Sequence, residues 1–251
     1  MDVAKNDSNK SIRQKALDKL DELYPNQMAN PTIGNDYNQI VDIAKNDIDP
    51  KNRISAVKKI KYKDQKLLVD IAKNDPDWDV RLAAVKKIKD ESAIVDIAKN
   101  DDDYRVREAT IIKIKNQAVI EDIAKNDASS RVRLVAVKRI VNQTVLAEIA
   151  KNDASSNVCE VAVMKLKNES DLEDMAKNTN VWWTVRETAV KNPHLKNRNV
   201  LLDVVKHDPY YERVEERDSY DFSTYKKVYP VRKAANKKLG GNYGKYCWER
   251  N

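Results

Sequence analysis

Four residues, Ala-Lys-Asn-Asp, recur at Ala4, Ala44, Ala72, Ala98, Ala124 and Ala150. From Asp47 onward the aspartates stand at Asp75, Asp101, Asp127 and Asp153, spaced 28, 26, 26 and 26 residues. A seventh copy ends in Thr179, and an eighth is blurred to Val-Val-Lys-His-Asp, ending at Asp208. A period of this length is the mark of a stack of like units, each too small to bury its apolar face alone.

With each aspartate as origin, apolar residues lie seven and four residues before it and a small one three before. Examples are Ile94, Ile97 and Ala98, then Ile120, Ile123 and Ala124. Those spacings place them on one helical face. After the aspartate, offsets +5, +9, +10 and +13 are apolar, as in Val80, Ala84, Val85 and Ile88. At 100° per residue these span an arc of about 140°, the buried face of a second helix. Each unit is therefore predicted to be two helices of about nine to eleven residues joined by the motif loop. Leucine-rich repeats have a similar period, but they need a short strand with an asparagine ladder, which this periodicity fits poorly. The four glycines sit at 34, 240, 241 and 244, so a fold rich in hairpins is disfavoured. The fold class predicted is all-α: an αα solenoid, a right-handed superhelix of about eight short pairs.

Offset +6 is arginine in most units, giving the sets Asp47 with Arg53, Asp75 with Arg81, Asp101 with Arg107 and Asp127 with Arg133. The carboxylate is placed to accept backbone N–H groups at the start of the second helix, where donors lack partners. The guanidinium can then bind an aspartate of its own or a neighbouring unit, forming a structural ladder. The motif lysine suits the negative end of the first helix, and the asparagine suits a left-handed helix stop. Asp153 departs from the pattern, with Cys159 where arginine belongs. The prediction is a soft joint there, with Cys159 a small buried apolar residue.

An aspartate followed six residues later by arginine, inside a helix pair whose second helix reads V-R-x-x-A-V-x-x-I, resembles a HEAT repeat. The short unit is similar to the HEAT-like repeats of phycobilisome lyases, over almost all of residues 1–239. The resemblance implies a scaffold that binds protein partners, with the second helices lining a concave face; some members bind nucleic acid or carry enzymes. Offset +12 holds Lys59, Lys87, Lys113, Arg139 and Lys165, so the resemblance makes these a basic stripe along that face. The plain alternative is a solvated flank that favours the helix dipole.

Insertions are read at 21–39 and 209–230, with a tail at 240–251. The second insertion holds five tyrosines, among them Tyr210 and Tyr211, and reads either as a cap on the last pair or as a contact surface. The glycine-punctuated tail is either frayed or wrapped back. Trp78, Tyr104 and Trp182 fall at offset +3, with Trp183 beside the last, and the Trp182–Trp183 pair is the candidate hot spot.

The net charge of +7 permits acidic proteins or nucleic acid as partners, although 40 acidic residues dilute it. No run of 18 apolar residues and no apolar leader is present, so no membrane span or signal peptide is expected. Two distant cysteines suggest neither a disulfide framework nor a metal site, and a cytoplasmic monomer is the expectation. Enzyme motifs are missing: two histidines lie in different units, no His-Glu dipeptide occurs, and glycine phosphate loops are absent. The expectation is a non-catalytic scaffold without cofactors that binds a protein partner. The alternative is a nucleic-acid-binding solenoid, in the extreme a glycosylase-like one, using the basic groove.

Overall fold

The computed structural model describes residues 37–217 and 223–250, and the chain divides into two compact units, residues 1–113 and 114–251. In the first, α1 (Tyr37–Asn46) packs on α2 (Pro50–Lys59), α3 (Gln65–Asn74) on α4 (Trp78–Val85), and α5 (Glu91–Asn100) on α6 (Tyr104–Ile111). In the second, α7 (Gln117–Asn126) packs on α8 (Ser130–Arg139), and α9 (Gln143–Asn152) on α10 (Ser156–Lys165). There too α11 (Glu169–Lys177) packs on α12 (Trp183–Lys191), and α13 (Arg198–His207) on α14 (Pro230–Lys238). Each unit is thus an αα solenoid of helix pairs. Within each unit second helices pack directly on second helices, whereas first helices stand farther apart. No described helix is long and apolar enough to cross a membrane. The first motif copy and residues 21–36 of the first insertion lie outside the described residues; α1 begins at Tyr37, inside the span read as insertion.

The periodic apolar positions form the core. Leu68, Ile71 and Ala72 of α3 meet Val80, Ala84, Val85 and Ile88, all nearly inaccessible. The same offsets in unit 2 give Ile120, Ile123 and Ala124 against Val132, Ala136, Val137 and Ile140. Alanine at −3 and +9 is what lets such short helices come close, and isoleucine, leucine and valine fill the gaps. Thr110 takes an alanine position in α6; its hydroxyl is satisfied by donating to the Arg107 carbonyl at 2.6 Å.

The motif loops correct two expectations. Asparagine does not stop the first helix in a left-handed turn: Asn74 is the last helical residue, and Asp75 after it is extended at φ −64°, ψ 133°. The amide of Asn74 reaches back to Asp70 at 2.9 Å, as Asn46 does to Asp42, Asn100 to Asp96 and Asn126 to Asp122. Nor is the motif aspartate the N-cap of the second helix. It accepts the backbone N–H two residues on, as Asp75 does from Asp77 and Asp127 from Ser129. That second residue is the N-cap proper: Asp49, Asp77 and Asp103 each accept the N–H of the second helical residue, two places further on.

The second insertion has its own secondary structure. Strand β1 (Glu212–Arg217) pairs antiparallel with β2 (Ser223–Val228), Glu212 opposite Val228. Beyond α14 the chain reverses at Gly240 and Gly241, whose φ angles of +89° and +84° only glycine adopts cheaply. It then runs back as β3 (Trp248–Arg250), pairing with β2 at Val228 opposite Trp248. The tail is therefore wrapped back rather than frayed. Low glycine content disfavoured β-rich folds, and this small sheet sits where three of the four glycines cluster.

Candidate protein-docking edge

The ladder arginines reach forward to the next helix pair, not to the aspartate side chain of their own pair. Arg53 grips Asp75 through two 2.8 Å bonds, Arg81 grips Asp101 likewise, and Arg133 grips Asp153. Each also donates to the backbone carbonyl of its own motif aspartate, Arg53 to Asp47 at 2.8 Å and Arg107 to Asp101 at 2.7 Å. Both members are nearly buried, and the carboxylate beside each of Arg53, Arg81 and Arg133 holds its guanidinium pKa above the usual value. Bidentate geometry and desolvation make these strong, orienting contacts. Arg186 renews the pattern with Asp208 at 2.7 Å.

The offset +12 stripe is the main correction to the predicted binding residues. Lys87 turns its ammonium to the end of the preceding second helix, donating to the carbonyls of Val57, Lys58 and Ile60 at 3.2, 2.6 and 2.5 Å. Lys113 does the same to Val85, Lys86 and Ile88 at 2.6–2.9 Å. Arg139 donates to Ile114 at 2.7 Å and Lys165 to Lys138 at 2.6 Å. Burial draws the pKa of Lys87, Lys113 and Lys165 down, while the orphan carbonyls at a helix C-terminus favour the cation. These side chains are helix stops rather than a free stripe; Lys59, the last residue of α2, is exposed.

The aromatic candidates do come together in unit 2. Trp183 opens α12 and stacks on Tyr210, ring centroids 4.7 Å apart and planes 11° from parallel. Trp182 beside it is 56% exposed, and Tyr211 is 40% exposed. Tyr211 leans on Tyr229 at 5.8 Å and carries Lys227 over its ring at 4.8 Å. Beneath them the buried Arg186–Asp208 pair ties the loop before α12 to the loop after α13, because Arg186 also donates to the Val181 carbonyl at 2.8 Å and Tyr210 donates its N–H to Asp208. The platform is thereby held rigid. In unit 1 the offset +3 aromatics are used internally, with the Arg105 guanidinium 3.4 Å over Trp78 and 5.8 Å from Tyr104. Lys227 went unnoticed in the sequence, where its spacing carries no period, and Tyr229 was noted only as one of the five insertion tyrosines.

Another feature escaped the pattern. A groove of about 570 Å³ lies between α9 and α11, lined by Glu148, Lys151, Asn152, Asp171, Asp174 and Met175 among others. It faces the place where the ladder is missing. Cys159 donates its thiol to the Asp153 carbonyl at 3.3 Å, replacing one arginine contact, and burial pushes its pKa up to about 11, so it stays neutral.

Neither a family model nor a curated protein matches the chain. Among solved structures, an X-ray structure of YibA from E. coli matches over 94% of this chain and 89% of that chain, at 20% identity and a TM-score of 0.46.

Proposed function

We propose that this helical-repeat protein is a non-catalytic, HEAT-like scaffold that holds a protein partner at the aromatic edge formed by Trp182, Trp183, Tyr210 and Tyr211. The observation that carries the reading is the exposed Trp182 beside the Trp183–Tyr210 stack, over a buried ion pair that fixes both loops. Large rigid aromatics give contact area at low entropic cost, and a prearranged platform loses less on binding. The partner presents an apolar side chain to Trp182, and acidic groups beside it face Lys227.

An affinity pulldown with the immobilised chain tests this. Trp182→Ala is expected to reduce capture about tenfold or more, a hot-spot loss, with an unchanged melting curve. Equal capture by that variant removes the edge from consideration. Titration against duplex and single-stranded DNA at two salt concentrations addresses the nucleic-acid reading, which requires steep salt dependence.

A further inference from the structure

Unit 2 has one joint at which a buried rung and a surface rung are both missing. The first is the buried rung. Arg133–Asp153 precedes the joint and Arg186–Asp208 follows it, but at the joint itself Cys159 stands in the arginine position. Its opposite number is also changed: α11 stops at Lys177, and Asn178 takes the turn position by accepting the Asn180 N–H at 3.0 Å. Both charges are lost together, so no buried ion is stranded.

The second is the surface rung. Lys45 pairs with Asp70, Lys73 with Asp96 and Lys125 with Glu148, each lysine reaching the acid of the next first helix. The equivalent residues here are Lys151 and Asp174, and among the described residues they form no ion pair; the next joint also lacks this rung, since Asp203 pairs with His207 instead of Lys177, but it keeps its buried one. The groove between the ends of α9 and α11 is also the roomier one, about 570 Å³ against about 180 Å³ between α7 and α9 and about 140 Å³ between α11 and α13.

On the opposite side the joint is intact. Helix α10 packs on α12, and the buried amide of Asn192 donates to Val163 and Leu166 at 2.9 and 3.1 Å. The start of α9 is also tied across, since Gln143 accepts the Lys167 N–H at 2.8 Å. A contact closed on one side and without rungs on the other can only open and shut about the closed side.

We propose that this joint is a hinge built into unit 2, with its axis along the α10–α12 contact and its motion opening and narrowing the α9–α11 groove. Helices α11–α14 and the aromatic edge swing as one piece against α7–α10. The inference concerns the free chain and does not rest on the proposed partner.

Spin labels test it, because both native cysteines are buried and exposed cysteines are labelled selectively. Pulsed electron–electron resonance on Asn152→Cys/Thr179→Cys spans the joint, and Asn126→Cys/Asn152→Cys spans an intact one. The joint is expected to give a distance distribution about twofold wider than the control. Adding Cys159→Arg with Asn178→Asp, which writes the missing pair, is expected to narrow it to the control width. Equal widths in the otherwise unaltered chain overturn the hinge, whether or not the added pair folds. A width that persists in the folded pair-restored chain overturns the missing rung as its cause.

Discussion

Asp101 receives two bonds from Arg81 and one from the Asp103 N–H, so its carboxylate is satisfied only while Arg81 is present. Arg81→Ala is expected to cost about 3 kcal/mol, read as a lowered urea midpoint, because it strands a buried charge. Cys159→Ala, where no ion is involved, is expected to cost about 1 kcal/mol by loss of packing. The stripe lysines divide in the same way. Lys113→Met takes the lysine donor from the Lys86 and Ile88 carbonyls, while Val85 keeps the Ile88 N–H, and is expected to cost about 2 kcal/mol, whereas Lys138→Met on the exposed flank changes the midpoint little. These outcomes turn on direction of reach, which no one-dimensional pattern records. Spacing placed Lys87 and Lys113 outside the apolar arc, and they are; a lysine stem is long enough to run along that arc and return its charge to the neighbouring backbone.

Helix pairs were legible because their signal is repeated: a period of 3.6 within each element and 26 between elements leaves few alternatives. What was misjudged are the element ends. Two acceptors compete for the first N–H groups of each second helix, and the residue two places after the motif wins because it immediately precedes the helix. Asp103→Ala is therefore expected to cost about 1 kcal/mol and to speed hydrogen exchange in the first turn of α6. Ser129, the N-cap of α8, makes no side-chain capping bond, so Ser129→Ala is expected to cost well under about 1 kcal/mol. The cap of α6 is also pH-sensitive. Arg105 beside it lowers the Asp103 carboxyl to about 2 from 3.8, so its contribution is complete above the unfolded value and lost as pH falls through the folded one. The β1–β2 hairpin was not legible as strands, since its residues carry no repeated counterpart to compare with.

Within each unit the ladder has a direction: arginines reach toward the next helix pair, and offset +12 cations reach toward the previous one. A directional ladder raises the question of what the last arginine reaches for. Arg232 holds the usual backward contact, donating to the Asp208 carbonyl at 2.7 Å, and its other nitrogen finds the carbonyl of Tyr246 at 3.1 Å, with Tyr229 beneath its plane at 4.1 Å. The returning tail thus occupies the acceptor place that another repeat would fill. The tail therefore satisfies the last rung in the way a further pair would. Removing residues 240–251 leaves an open-ended rung and a bare helix face, the geometry of head-to-tail growth rather than closed pairing. Sedimentation of that truncated chain is expected to show concentration-dependent oligomers, and a species of unchanged size at every concentration would mean that the series is closed by something other than its tail.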